Sequence, residues 1–340
     1  MKLKYWNRIM MFFSIIALSV FVTGSAMGGP KINIKAGKFE TAQQKRAMHA
    51  YRMVAGYKGD NDAKLFAEHL FNKTKARQKV SLKADTANNM IYLGGSPGAF
   101  FRINKKTGDF SFSKGIGAYL KNENRTDSLP GKNQAVDTAK QHLKALKLMP
   151  KYEKELTLQH VGGLALATHK DGKTSQPVDK LVTVQFGRVI DGVPVTGPGS
   201  KIIVTLGANG ELVSLQKRWV ELKREQKQSK NFKSKADVHA NIKAKMAKEA
   251  ASAKRVDVNA PEFGYYDDGD GNIEPAYIFL ADLTYDSEDA KAGGYEKEKY
   301  FGVVGAIKGS RAKFDQLEKA KKGPVKSTPP KQNPPKKDDQ

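Results

Sequence analysis

The sequence predicts an α+β protein in which helices pack on antiparallel β-meanders. Three observations carry this. Some stretches repeat apolar residues at three- and four-residue spacing, while others alternate apolar and polar residues. Gly-containing turns, among them Asn209-Gly210 and Asp191-Gly192, separate the alternating stretches. The two patterns follow one another along the chain, helix and then hairpin, so that a helix covers one face of each sheet. The chain has 340 residues, 39% of them hydrophobic, enough for a sizeable core and, on length, for two modest domains.

Residues 1–26 read as a secretory signal peptide. Lys2, Lys4 and Arg8 form a basic start, Ile9 to Val22 is apolar apart from Ser14 and Ser19, and Gly24-Ser25-Ala26 supplies a small-residue cleavage site. The apolar run is shorter than the roughly 20 residues of a membrane span. The expectation is therefore an exported protein of the periplasm, the extracellular space or the cell envelope.

Residues 27–128 are expected to hold N-terminal helices and a β-hairpin region. Residues 27–38 read as a flexible leader and Glu40 to Val54 as a helix. A second helix is expected from Asp60 or Asp62, both natural caps, with Leu65, Phe66, His69, Leu70 and Lys73 on one stripe. Asn89–Leu93, Phe100–Asn104 and Asp109–Ser113 read as short strands.

Residues 129–222 are expected to form an α+β unit. Its helix spans Asn133–Leu148, with a stripe of Ala135, Val136, Ala139, Leu143, Ala145 and Leu146, and ends at Met149-Pro150. Strands are expected at Leu156–Val161, Leu164–Thr168 and Leu181–Ile190. Val193–Thr196 reads as an edge segment because it contains Pro194. Lys201–Leu206 and Glu211–Trp219 form a hairpin across Ala208-Asn209-Gly210.

Residues 223–310 are expected to form a second α+β unit. A polar connector follows Trp219. A helix spans Lys235–Ala253, with Val238, Ile242 and Met246 on one stripe. Strands are expected near Val256 and at Phe263–Tyr266, Ala276–Leu283 and Tyr300–Ile307. Residues 311–340 form a tail, Lys- and Pro-rich from Lys319, whose composition predicts disorder. Three hairpins share one plan, at Phe100–Phe112, Ile202–Leu215 and Phe263–Phe279.

The net charge is +24, with 59 Lys and Arg against 35 Asp and Glu. Only 11 of the basic residues are Arg. Arg is the residue of bidentate phosphate and guanine recognition, so nucleic acid is not the expected partner. The charge is segregated. Residues 217–255 carry 13 basic and four acidic residues, whereas residues 256–290 carry ten carboxylates and no Lys or Arg. The two faces are expected to meet within the molecule. The cationic tail is suited to peripheral contact with anionic lipid or envelope polymer.

The chain has no cysteine, which excludes disulfides, thiolate metal sites and cysteine nucleophiles. The six histidines form no zinc-type spacing, and no Walker A loop, dinucleotide fingerprint or G-x-S-x-G elbow occurs. No catalytic, cofactor or metal-binding residues are expected. Asp268, Asp270, Asn272 and Glu274 alternate like the start of a calcium loop. However, Ile273 stands where a Gly is required and Phe279 where a bidentate Glu is required, so a polar hairpin tip is expected. Gly197-Pro198-Gly199-Ser200 reads as a tight turn rather than a phosphate loop. Glu211, Asp191 and the Asp267–Glu274 run are the carboxylates a hydrolase would draw on.

Val184–Gly197, reading VQFGRVIDGVPVTG, resembles the segment of PepSY and FTP-type domains in which a Gly turn precedes a hydrophobic-Pro-hydrophobic strand. Ile202–Leu206 and Asn209–Val213 resemble the hairpin that follows. Phe101–Asp109 is similar to the PepSY Thr-Gly hairpin, and Pro275-Ala276-Tyr277 resembles a closing strand. Envelope regulators of the YycH/YycI type are similar at the same level. The resemblance implies a cystatin-like α+β fold, probed by the motif residues Asp191, Gly192, Pro194, Gly197, Gly210, Trp219, Pro275 and Tyr277. It implies a non-catalytic role, inhibitory, chaperoning or sensory, exerted on a peptidase or another envelope protein. HExxH is absent, so an inhibitory propeptide acting in cis is not expected. The alternative reading is a structural or adhesive protein held on anionic envelope polymer.

Overall fold

The computed structural model describes residues 29–37, 49–53, 60–73, 81–85, 90–94, 98–119, 128–167, 169–170, 173–174, 176–227, 231–286 and 296–314. The expected signal peptide and the tail from Lys319 lie outside them. The described residues form an α+β fold with three α-helices and a large mixed sheet of sixteen strands.

The central part is an antiparallel sheet. Strands β3 (Ser81–Asp85), β4 (Met90–Gly94), β5 (Ala99–Asn104) and β6 (Phe110–Lys114) form a meander. A second run, β7 (Leu156–Leu166), β10 (Val178–Ile190), β12 (Lys201–Leu206) and β13 (Leu212–Arg218), is joined to it where β13 pairs with β6. The short strands β8 (His169–Lys170) and β9 (Lys173–Thr174) pair with each other between β7 and β10. β7 is one continuous strand where two had been expected.

Helices α1 (Asp60–Lys73) and α2 (Lys132–Ala145) cover this sheet. On α1 the buried residues are Ala63, Ala67, Leu70 and Phe71. The expected stripe is rotated: Leu65 is 65% exposed, because the small side chains of Ala63 and Ala67 allow close approach to the sheet. Phe66 meets Phe101 and Phe110 edge-on, and Phe71 meets Phe112. Helix α2 buries Ala135, Ala139 and Leu143 as expected.

The remaining strands form a second region. β15 (Arg255–Val258) and β16 (Glu262–Asp267) lie end to end along one side of the long strand β17 (Asn272–Thr284), and β18 (Lys297–Gly305) lies along the other. Helix α3 (Lys235–Glu249) buries Val238, Ile242 and Met246 against them. Ser234 caps α3 in a capping box with Asp237.

Four sequence expectations are corrected here. The leader contains β1 (Lys31–Ile34), paired in parallel with β15. His49–Met53, expected to be helical, is strand β2, paired with β17 and with the strand Leu222–Lys227. The expected polar connector contains β14 (Leu222–Lys227). Pro194 does not mark an edge: β11 (Val193–Thr196) pairs with β10 on one side and in parallel with β16 on the other. In each case the partner lies far away in sequence, and long-range pairing overrides local composition. The three expected hairpins are all present.

Candidate functional site

A cleft of about 510 Å³ opens where β10 and β13 end and α2 leads into β7. The chain enters it through the C-terminus of α2. The Lys147 amide donates to the Lys144 carbonyl and the Leu148 amide to that of Leu143, the pair of bonds that closes a Schellman motif. Lys147 occupies the left-handed position, with φ of 56° where Gly is usual. Met149 and Pro150 then direct Lys151, Tyr152, Lys154 and Glu155 along the cleft wall.

The floor is held by Arg188, only 3% exposed. Its guanidinium binds Glu155 Oε2 through Nε at 2.8 Å and Nη2 at 2.7 Å, and donates from Nη1 to the Val220 carbonyl at 3.0 Å. It stacks 4.7 Å above the Trp219 ring. Delocalised and hydrogen-bonded on two sides, Arg188 can be buried where an ammonium would be costly. Beside it, burial and the Arg188 charge push the Lys217 ammonium down from its ordinary range, against the pull of Asp109 and Glu221.

The far wall comes from the β10–β11 turn. Asp191 and Gly192 have φ of 51° and 79°, the left-handed pair that Asp-Gly supplies in a tight hairpin. Arg224 Nη2 lies 2.9 Å from Asp191 Oδ2, and the Tyr51 hydroxyl donates to the same oxygen at 3.1 Å. Burial raises the Tyr51 hydroxyl above its ordinary value.

Six basic side chains line the cleft against three acidic ones. Glu155 is engaged by Arg188, and Asp191 by Arg224. Among the described residues, Lys147, Lys151 and Lys154 have no carboxylate partner. The unmatched charge thus sits at the exposed mouth.

The motif residues do not all come together. Asp191 and Trp219 line the cleft, and Gly192 shares the turn. Pro194 pairs with Val189 at the start of β11. Gly197, with φ of 124°, runs so close to β16 that an added Cβ would stand 2.1 Å from the Asp267 carbonyl oxygen. Gly210 lies at the opposite end of β13, where its carbonyl meets His142 Nε2 at 2.8 Å. Pro275 pairs with Tyr265, and Tyr277 is buried in the core beneath α3.

The other carboxylates are turned to protein donors. Asp268 accepts from the amides of Asp270 and Asn272 and from the Asn272 side chain, at 2.8–3.1 Å. Asp270 pairs with Lys313 at 2.7 Å. Buried Glu274 accepts from the Ser310 hydroxyl and, at 3.0 Å, from the Arg311 amide. Glu211 is bound by Lys114 and Tyr119, away from the cleft. Among the described residues the basic and acidic segments meet in two ion pairs, Lys254 with Asp286 and Arg255 with Asp257.

Sequence reasoning gave no role to Arg188, which lies within the VQFGRVIDGVPVTG segment, or to Glu155 and Tyr51, which no motif marks. Asp267, named in the sequence as part of an acidic run, belongs to a buried group where three segments converge, a meeting the sequence does not show. Asp267 accepts from Ser200 Oγ at 2.6 Å, and burial raises its carboxyl above the usual range. Asp109 is pushed up to about 6, chiefly by burial and further by the Asp267 charge.

No protein-family model matches the chain, and no curated protein matches it. Among solved structures it is similar to an uncharacterized protein from Eubacterium rectale ATCC 33656. The identity is 13% and the TM-score 0.40, over 82% of this chain and 90% of the other. The PepSY resemblance rests on the motif residues alone.

Proposed function

We propose that the chain is an exported, non-enzymatic binding or regulatory protein of the cell envelope. In this reading PepSY-like units of helix and meander present the basic cleft to an anionic group on a peptidase or another envelope protein. The observation that carries it is the cleft's charge arrangement. Arg188 and Arg224 are held by Glu155 and Asp191, while three lysines at the mouth have no carboxylate among the described residues. Ion pairs that fix one another leave no base and nucleophile poised together, which favours binding over catalysis.

Trp219 reports on the site. The sequence contains two tryptophans, Trp6 and Trp219, so Trp6→Phe leaves the cleft residue as the sole indole. Citrate and inorganic phosphate, titrated at low salt, are expected to change Trp219 emission saturably. Added salt and the double change Lys151→Glu with Lys154→Glu should both weaken the response. An unchanged emission, or a response indifferent to the two lysines, overturns the cleft as an anion site. Retention on isolated envelope that falls with salt, regardless of the cleft lysines, would instead favour adhesion through the +24 charge.

A further inference from the structure

We propose that the cleft's ligand is an extended peptide. It adds an antiparallel strand to the outer edge of β7 and sets its C-terminal carboxylate in the cleft. The inference rests on the anion-site reading above and adds the class of ligand.

β7 is eleven residues long, and among the described residues it pairs only with β10. Its sequence, LTLQHVGGLAL, contains no Lys, Arg, Asp, Glu or Pro. Charged residues make up 28% of the chain, so their absence from the whole strand requires a reason. Lysines, prolines and short length are the ordinary guards of a sheet edge against unwanted pairing. The sequences of the other single-partner strands of the large sheet among the described residues all contain lysine: KINI in β1, SLKAD in β3, LKREQK in β14 and KEKYFGVVG in β18. β7 alone among them presents an unguarded backbone.

The side chains along this edge also fit an added strand. Tyr152, Leu158 and Val178 are three of the eight exposed large hydrophobic residues among those described. Tyr152 precedes β7, Leu158 lies within it, and Val178 faces Leu166 at its far end. From His160 to Leu164 the pairing with β10 is regular over five residues. The bulge at Gln159 lays its exposed side chain over β10, where it receives a hydrogen bond from Gln185 at 2.8 Å. Apolar positions beside an open backbone are the two requirements of strand addition.

Charge fixes the direction. β7 begins at Leu156, directly after the cleft residues Lys151, Lys154 and Glu155. A peptide running antiparallel to β7 brings its C-terminus to the cleft; a parallel one brings its ammonium group there. A basic cleft selects the carboxylate.

The test uses the full chain and an N-terminally labelled peptide of about eight alternating threonines and valines, long enough to span the regular part of the edge. One form ends in a free carboxylate and one in an amide. By fluorescence anisotropy the acid is expected to bind about tenfold more tightly than the amide, the scale of one charge-assisted contact. Binding should slow amide exchange across His160–Leu166. Leu158→Lys with Ala165→Lys, both at exposed positions, should abolish peptide binding and leave the citrate response of Trp219 intact. If that variant does not fold, exchange on the unaltered chain decides. Equal affinity for acid and amide, or exchange in β7 unchanged by the peptide, overturns the proposal. A citrate response without peptide binding overturns the peptide and leaves the anion site standing; silence in both removes the two together.

Discussion

Asp109 turns a buried position into a pH dependence. Its carboxyl sits at about 6, above the ordinary value, because burial disfavours the charged form and Asp267 adds repulsion. Thr107, Arg218 and Lys217 oppose the shift without cancelling it. The folded chain therefore holds this proton more tightly than the unfolded chain. Stability attributable to the group is present below the unfolded pKa and is lost as pH rises through about 6. Asp109→Asn should leave stability unchanged at about pH 3 and raise it near neutrality, by at most about 3 kcal/mol, with a matching rise in melting temperature. Denaturation followed across this range checks the prediction; a variant equally stable or weaker near neutrality contradicts it. Asp109 was legible only as a hairpin residue, because Asp267, Lys217 and Arg218 act on it from distant segments.

At the scale of elements, the hairpins were the most legible feature. Turn chemistry is local, and Asn209 and Gly210 adopt φ of 53° and 73° as an Asn-Gly turn requires. This turn is docked on α2: a Cβ on Gly210 would stand 2.9 Å from Thr138 Cγ2. Gly210→Val should cost about 2 kcal/mol or more, from backbone strain and displacement of the helix. Lys201→Ala should change stability by less than about 1 kcal/mol, since burial and Arg218 already disfavour that ammonium. Equal melting temperatures for the two variants would contradict the hairpin's role. Strands β1, β2 and β14 were illegible for the opposite reason. β14 is mostly charged, β1 and β2 are only four and five residues long, and partners far along the chain make them strands. The cleft was half legible: Asp191-Gly192 and Trp219 stood out, whereas Arg188, Glu155 and Tyr51 gain meaning only in three dimensions.

For the whole molecule, the parallel contact of β11 with β16 joins two regions with separate cores. Gly197 is the closest approach at this junction. Gly197→Ala adds strain at positive φ and drives a methyl group into the Asp267 backbone, a cost on the order of 1–3 kcal/mol. Scanning calorimetry should show one transition for the unaltered chain and two for the variant, as the regions uncouple. A single transition in the variant would mean that the remaining contacts suffice to couple them.

The long strand β17 also sets an order of events. It receives β2 from near the start of the chain and pairs with β15, which in turn pairs with β1. Asn33 reaches Asp257 across 224 positions of sequence. The earliest strands therefore wait for nearly the last, and the slow step of folding is closure of this long circuit. A nascent chain that has not yet released β15 and β17 leaves β1 without its partner and β2 paired at most with β14. The first sheet, whose strands and covering helices all lie before Trp219, is free to form earlier, so the two regions acquire their cores in sequence and the first strand is the last to find its place.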